Sequence, residues 1–253
     1  MNSKSGPRDY NNICQTQSLS LLDNSNVFVF DTETTGLPMR APAGWGSHWD
    51  YRLNEKYEGC RIISIAWSLI SNYEKNILDK SAIQHYYRYP EGFTEITSTH
   101  IHGIKYNDIL STGIPFGIIL GTYGLGKALL DANYIVAHNA KFDYNVLMNE
   151  LYRLAYNNEP VVSLSLSTRE LAVLCINHLL SLTANNKIIC TGEISTNICK
   201  MDFPNSTTYL GKKKTYKMPK LCELYKYYYG IDFENAHSAD GDVKALLDIM
   251  KMM

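Results

Sequence analysis

The sequence predicts an α/β protein in which a mixed sheet is flanked by helices. Short apolar runs rich in β-branched and aromatic residues occur at 27–30, 61–70 and 134–137, which is typical of buried strands. Segments with helical spacing of apolar residues alternate with these runs, and this alternation indicates helices packed on a sheet. The length of 253 residues and the apolar content of 45% suit a single domain with a substantial core.

The chain is expected to consist of a polar N-terminal arm, residues 1–25, and one folded domain, residues 26–253. The arm is rich in Asn and Ser and has no apolar core of a signal peptide. No apolar run approaches the roughly 20 residues that span a bilayer, so no membrane partner is expected. The six cysteines are scattered without paired zinc-type spacing, which favours reduced thiols in a soluble, intracellular protein of the cytoplasm or nucleus.

The charge balance excludes one class of nucleic-acid-binding protein. The formal net charge is −1 and the isoelectric point is near 6.6, so a protein that coats nucleic acid by bulk positive charge is not expected. An enzyme that grips a short strand end locally remains compatible with this balance.

The first predicted strand, Val27–Phe30, leads directly into two carboxylates, Asp31 and Glu33. Residues two apart in a strand point to the same face, so the two acids lie side by side. Like charges at the end of a buried strand repel, and a divalent cation between them relieves the repulsion. The alternative is a strand that ends in a polar turn with both acids solvated.

The next elements predict an antiparallel meander. A long excursion from Met39 to Gly59, rich in Gly, Pro, Trp and Tyr, separates the first strand from the second, and such a long loop is more often functional than idle. The remaining elements expected in this half are strands at Arg61–Ile70 and Ile83–Tyr89 and helices at Glu91–Gly103 and Pro115–Asp131.

A second acidic position follows the strand Tyr134–Ala137. The segment His138-Asn-Ala-Lys-Phe-Asp143 opens a helix from about Lys141 to Tyr156. Asp143 heads its buried stripe, which continues through Leu147, Leu151 and Leu154. The side chain either stabilises the helix N-terminal dipole or faces a metal.

The C-terminal part contains an extended segment, 157–217, in which the sequence predicts a helix at 167–182 and one or two strands within 187–201. A loop at 202–220 and a helix at 219–229 follow. A lysine cluster, Lys212–Lys220, is interpreted either as part of a solvated loop or as a set of contacts to substrate phosphate groups. Ser238 caps a final helix whose core face is Val243, Leu246, Leu247 and Met250. His237 precedes this helix, and periodicity does not say whether Asp240 or Asp242 turns inward.

Function is expected at the strand ends, where these acids and the histidine meet. Clustered carboxylates that hold two cations, together with a neutral histidine that accepts a proton from water, are the requirements of two-metal phosphoryl hydrolysis.

Three segments, FDTETTGLP at 30–38, HNAKFD at 138–143 and HSADGDVKALL at 237–247, resemble in sequence and order the three motifs of the DnaQ-like (DEDDh) 3′→5′ exonucleases. The resemblance covers about residues 26–252. The last motif is most similar to that of the three-prime repair exonucleases, and similar stand-alone members occur in large DNA viruses. The resemblance implies a ribonuclease H-like fold with a five-stranded mixed sheet.

The resemblance also implies residue roles. The ligands of two Mg²⁺ or Mn²⁺ ions would be Asp31, Glu33, Asp143 and Asp242, the last selected over Asp240 by the family's spacing from the histidine. His237 would be the general base. The terminal nucleotide would be received by Thr34, Thr35, Gly36, the wedge residue Leu37 and Asn139. His102-Gly103-Ile104 also resembles a family segment, with its role left open.

The implied activity is release of nucleoside 5′-monophosphates from a nucleic acid 3′ end, with DNA favoured over RNA, in proofreading, repair or DNA degradation. The alternatives are an exoribonuclease of the RNase T or oligoribonuclease type and a non-catalytic module that binds strand ends. Analogy suggests a homodimer, and the sequence names no polymerase partner.

Overall fold

The computed structural model describes residues 19–42, 47–74, 83–156, 166–203 and 215–253. One five-stranded sheet with the strand order β3-β2-β1-β4-β5 organises these residues. The three strands on one side form an antiparallel meander, whereas β4 runs parallel to β1 and β5 runs parallel to β4. The predicted five-stranded mixed sheet is therefore confirmed. The strands are β1 Val27–Thr34, β2 Ile62–Ile70, β3 Gln84–Tyr87, β4 Tyr134–Ala137 and β5 Ile188–Cys190.

Helices cover both faces of the sheet. Two long helices, α5 and α6, lie on one face, and the last helix, α9, lies on the other. The helices are α1 Thr99–His102, α2 Tyr106–Thr112, α3 Phe116–Gly121, α4 Leu125–Asp131, α5 Ala140–Tyr156, α6 Leu166–Ala184, α7 Thr191–Cys199, α8 Leu221–Tyr229 and α9 Ala239–Met252. None of the helices in these ranges is long and apolar enough to cross a membrane.

The alternation of side chains along β1 determines where the two carboxylates point. Phe28 and Phe30 are buried in the core beneath α5 and α6. Val27 and Val29 are buried in the core beneath α9. Asp31 and Glu33 point to the same side of β1 as Val27 and Val29, because side chains two apart in a strand share a face. They therefore lie on the side of the sheet that α9 covers.

A buried ionic network joins the sheet to α5. The Glu150 carboxylate lies 2.8 Å from Arg61 Nε and 2.6 Å from Arg88 Nη1, and all three side chains are 4% exposed or less. Burial opposes ionisation of Glu150, but the two guanidinium groups outweigh it and lower its pKa to about 2. The network therefore places full charges inside the protein with opposite charges beside them.

Two helix predictions need correction in their bounds. Helical structure within Glu91–Gly103 is limited to α1, which ends at Gly103 as expected. The helix predicted over Pro115–Asp131 is two helices, α3 and α4, because Gly124 adopts a φ of 83° and the chain turns there.

One or two strands are predicted within Lys187–Met201, and the structure has one of them, β5, followed by a helix that the sequence does not predict. Strand β5 ends at Cys190, and α7 follows at once. The Cys190 thiol accepts a hydrogen bond from the Glu193 N–H at 3.4 Å, and Lys141 of α5 forms an ion pair with Glu193 at 2.9 Å. Both contacts stabilise the first turn of a helix in a sequence of modest helix propensity.

Some predictions fall partly or wholly outside the described residues. Residues 1–18 of the predicted arm lie outside them, while Leu19–Leu22 forms a 3₁₀ turn with Leu19 and Leu22 buried. Residues 43–46 of the Met39–Gly59 excursion and 157–165 and 204–214 of the extended C-terminal region also lie outside them. Of the lysine cluster, Lys217 and Lys220 are described, and Lys217 binds Glu223 at 2.5 Å.

Candidate active site

Three carboxylates from opposite ends of the chain meet where β1 passes under the start of α9. Asp31, Glu33 and Asp242 each offer one oxygen, and these three oxygens lie within 4.8 Å of one another. The two strand residues are adjacent because they are two apart on one face of β1. Asp242 joins them from the first turn of α9, which packs on that face through Val243 and Leu246.

Asp143 reaches the same strand from the first turn of α5. Its carboxylate accepts two hydrogen bonds on Oδ1, from the Thr32 backbone N–H at 3.1 Å and from the Thr32 hydroxyl at 2.7 Å. The side chain is 3% exposed, so it does more than interact with the helix dipole. The sequence analysis did not identify Thr32 as a residue of the site. Its hydroxyl side chain between two acids of one strand was the signal that could have indicated it.

All four carboxylates have raised pKa values. Burial raises the pKa of Asp31 well above its usual range, and the charges of Asp143, Asp242 and Glu33 raise it further. Burial and the charges of Asp242 and Asp143 raise the pKa of Glu33 to about 8. Burial also raises the pKa of Asp143 and Asp242, although hydrogen bonds from Thr32 and from the His237 backbone oppose the effect.

This donor set fits hard divalent cations. Carboxylate oxygens from separate elements, gathered within a few ångströms, are the ligands that Mg²⁺ and Mn²⁺ prefer. Within the described ranges, none of the four carboxylates forms an ion pair with a lysine or arginine side chain. A bound cation would therefore supply the positive charge that the surrounding side chains do not.

The first turn of α9 separates its two aspartates. Asp242 faces the carboxylates of β1, while Asp240 is 45% exposed and lies 3.4 Å from the imidazole of His85 on β3. Residues two apart on a helix point about 200° away from each other. The structure thus turns Asp242, and not Asp240, toward Asp31 and Glu33.

His237 lies at the exposed rim of this cluster. Its backbone has a φ of 66°, and its N–H donates to Asp242 Oδ1 at 3.3 Å. The left-handed conformation folds the chain sharply into α9. The imidazole is exposed and close enough to His102 for its charge to contribute to lowering the His102 pKa, after the larger effect of burial.

The chain leaves β1 through a turn that other segments hold in place. The Thr34 hydroxyl donates to the Gly36 carbonyl at 2.8 Å, and the Thr35 carbonyl accepts from the Thr97 N–H at 2.7 Å. A Cβ on Gly36 would lie 2.5 Å from the Thr97 hydroxyl oxygen and 2.8 Å from a backbone carbonyl. Only glycine fits there, and the following Leu37 projects into solvent with 74% exposure.

His102, whose role the sequence left open, forms hydrogen bonds that stabilise this turn. Its Nδ1 accepts from the Ile104 N–H at 3.0 Å, so the proton of the neutral ring is on Nε2. That nitrogen lies 3.2 Å from the Thr34 carbonyl oxygen and 2.9 Å from the Ser98 hydroxyl. Burial is the main reason for the lowered pKa of His102, and the neutral ring holds the turn at pH 7.

Asn139 and the long excursion both contact α5. Asn139 is exposed, with a φ of 58°, and its carbonyl accepts the Phe142 N–H at the start of α5. The excursion is folded onto α5, since Asn149 donates to the Tyr51 carbonyl at 2.7 Å and Arg153 donates to the Asn54 carbonyl at 2.7 Å. The described part of the excursion is therefore held against α5.

Comparisons with known proteins agree with this architecture. The family profile RNase T, described as exonuclease, matches residues 28–250. E. coli Exonuclease I, solved in complex with a 5cy-dT13 oligonucleotide, superposes with a TM-score of 0.50 and 15% identity, over 90% of this chain and 40% of that one. The chain thus spans two fifths of the length of Exonuclease I.

A second solved structure is the Mg²⁺- and Mn²⁺-bound form of S. pombe Pop2p, with a TM-score of 0.43 and 14% identity over 92% of this chain and 84% of that one. No curated protein sequence matches the chain. The family profile spans nearly the whole folded domain, and the sheet has the strand order and mixed direction described above. The chain belongs to the DnaQ-like exonuclease family and has its ribonuclease H-like fold.

Proposed function

We propose that the protein is a Mg²⁺- or Mn²⁺-dependent 3′→5′ exonuclease that releases nucleoside 5′-monophosphates from DNA 3′ ends. The observation that carries the proposal is the convergence of Asp31, Glu33 and Asp242, whose oxygens lie within 4.8 Å of one another, with Asp143 bonded to Thr32 between the two acids of β1. Such a cluster favours its ionised form when cations are bound.

In this proposal the four carboxylates hold two cations, which supply activation of water and stabilisation of the leaving oxygen. Thr32 fixes one oxygen of Asp143 through two hydrogen bonds, so the other oxygen remains for a cation. The backbone N–H of His237 fixes one oxygen of Asp242 in the same way.

His237 acts as the general base. Its exposed imidazole stands at the rim of the cluster, where it takes the proton from the attacking water and passes it to solvent. The backbone bond of His237 to Asp242, and its place outside the group of carboxylate oxygens, support a role as base and not as ligand.

The turn after β1 receives the terminal nucleotide. Thr34, Thr35 and Gly36 present a backbone that is held in one conformation, and Leu37 projects where it can separate the last base from its neighbour. Asn139 contacts the terminal nucleotide from the opposite side. DNA is the proposed substrate, and Exonuclease I, which shares the fold, was solved with a DNA oligonucleotide.

The test is digestion of a 3′-unpaired, 5′-labelled DNA oligonucleotide with Mg²⁺ or Mn²⁺, in parallel with an RNA of the same sequence. Wild-type protein is expected to shorten the DNA stepwise and release 5′-monophosphates. Asp143→Asn keeps the size of the side chain and is expected to lower the rate by about three orders of magnitude or more.

Asp108→Asn is the matched control, since Asp108 is an acid near the start of the short helix α2 that contacts no member of the cluster. Mononucleotide release by Asp143→Asn at the wild-type rate would contradict the assignment of the site. Faster digestion of the RNA than of the DNA would contradict the assignment of the substrate.

A further inference from the structure

A chain of three polar side chains connects the sheet to the first turn of α9. The Ser64 hydroxyl oxygen lies 2.8 Å from His85 Nε2, and His85 Nδ1 lies 3.4 Å from Asp240 Oδ1. Asp240 accepts a further hydrogen bond from the Ser238 hydroxyl. We call Ser64, His85 and Asp240 the relay.

The partners determine the protonation of the relay. The carboxylate of Asp240, 3.4 Å from Nδ1, favours the tautomer of neutral His85 that carries its proton on Nδ1. His85 Nε2 then accepts the hydrogen of the Ser64 hydroxyl. The order of groups resembles a Ser-His-Asp catalytic triad, but Ser64 is 0% exposed and has no access to a substrate.

The two ends of the relay lie beside proposed metal ligands. Ser64 is directly opposite Glu33 in the β1–β2 ladder, so the two side chains are neighbours on one face. Asp240 is two residues before Asp242 on α9, and these side chains point about 200° apart. When His85 holds Asp240 toward β3, the helix turns Asp242 toward β1.

The relay meets α9 at its first turn, which also packs on the sheet through Ala239. Val243, Leu246 and Leu247 fix the body of the helix on the sheet, whereas its first turn follows a lead-in in which Asn235 and His237 both have positive φ. The contact of Asp240 with His85 adds a polar tether at this end of the helix.

We propose that His85 is a positioning residue that, through Ser64 and Asp240, sets the geometry of Glu33 and Asp242 for cation binding. The inference rests on the proposed metal-dependent function. It assigns to the edge strand β3 a role in the site although β3 carries none of the proposed ligands.

A cavity of about 770 Å³ borders the relay and makes a direct test practical. His85 and Asp240 form part of its lining. In His85→Ala, the space left by the ring opens to this cavity, and imidazole from solution can enter it. His85→Gln offers an amide donor and acceptor that replace part of the histidine's contacts.

The primary measurement is Mn²⁺ affinity, followed by the electron paramagnetic resonance of free Mn²⁺. His85→Ala is expected to weaken affinity about tenfold, as for other partners of metal ligands. His85→Gln and added imidazole are each expected to restore part of it. The value of kcat for oligonucleotide digestion should fall with affinity, while KM for the oligonucleotide changes little.

His178→Ala is the matched control, because His178 is also partly buried and makes one hydrogen bond, to the Ala132 carbonyl at 2.9 Å, away from the carboxylate cluster. Imidazole is also added to the wild type, since it binds Mn²⁺ itself. Ser64→Ala provides a second variant, and the double variant Ser64→Ala/His85→Ala is expected to lose no more than His85→Ala alone, since the residues act as one unit.

Any one of three results would overturn the relay. The first is a wild-type Mn²⁺ affinity in His85→Ala, and the second is an equal loss of affinity in His178→Ala. The third is a loss of affinity in His85→Ala that neither the His85→Gln substitution nor added imidazole reduces. If circular dichroism shows that His85→Ala does not fold, the Mn²⁺ affinities of Ser64→Ala and Asp240→Ala are compared with that of the wild type instead. Wild-type protein that binds Mn²⁺ but releases no mononucleotide would contradict the proposed function, and the affinities would still decide the relay.

Discussion

Replacing Glu33 by glutamine is expected to stabilise the metal-free protein at pH 8. The folded state raises the pKa of this carboxyl from 4.5 to about 8, through burial and the charges of Asp242 and Asp143. Because the folded state then binds more protons than the unfolded chain, its stability falls as the pH rises through this window. Glutamine has a similar shape and no charge, so it removes the effect.

The size of the effect follows from the shift. Each pKa unit corresponds to about 1.4 kcal/mol, so a shift from 4.5 to about 8 sets an upper limit of about 5 kcal/mol. Glu33 is partly in contact with solvent and titrates together with its neighbours, so a gain of about 2 kcal/mol is the expected magnitude. At pH 4.5 and below, the wild type and Glu33→Gln should have nearly equal stability.

The assay is urea unfolding at pH 4.5 and pH 8 in the presence of a chelator, monitored by tryptophan fluorescence. The control is Glu55→Gln, because Glu55 is exposed. With Mn²⁺ in excess the order at pH 8 is expected to reverse, because the wild type gains binding energy that Glu33→Gln lacks. A metal-free Glu33→Gln that is no more stable than the wild type at pH 8 would refute the view of Glu33 as an uncompensated acid.

Three further predictions follow from the same geometry. Thr32→Val removes the 2.7 Å hydrogen bond from the hydroxyl to Asp143 but keeps the bond from the backbone N–H. The Mn²⁺ affinity measured by calorimetry should therefore fall by about tenfold. An unchanged affinity would show that the hydroxyl does not orient the carboxylate. Glu150→Ala leaves two buried guanidinium groups without their carboxylate, and urea unfolding should show a loss of about 3–5 kcal/mol; a loss under 1 kcal/mol would contradict the ionic network. His237→Ala should lower kcat by about 10²–10⁴-fold at unchanged Mn²⁺ affinity, and wild-type turnover across pH would exclude it as the base.

The order of strands and helices could be predicted from the sequence because apolar pattern decides it locally. Val27–Phe30 and Tyr134–Ala137 are continuous apolar runs, and both are buried strands. The segment after Cys190 could not be predicted in this way. Its helix depends on the bond from the Glu193 N–H to Cys190 and on the ion pair of Glu193 with Lys141, which is distant in sequence.

The site shows the same division between local and long-range information. The adjacency of Asp31 and Glu33 follows from the two-residue period of a strand. The orientation of Asp143 depends on Thr32, which is 111 residues away, and the choice of Asp242 over Asp240 depends on contacts with strands far from α9. Motif resemblance supplied these positions, whereas periodicity left them open.

Glu150, which is buried, and Glu33, which is partly buried, have opposite surroundings, and the contrast between them explains the site. Glu150 lies among arginines, and its pKa falls to about 2 despite burial. Glu33 lies among carboxylates, and its pKa rises to about 8. Because the same chain neutralises a buried carboxylate with Arg61 and Arg88 a short distance along α5 from Asp143, the carboxylates at the tip of β1 are not there for stability. Their unbalanced charge destabilises the metal-free fold near neutral pH, and in the proposed function the bound cations would both restore the stability and supply the chemistry.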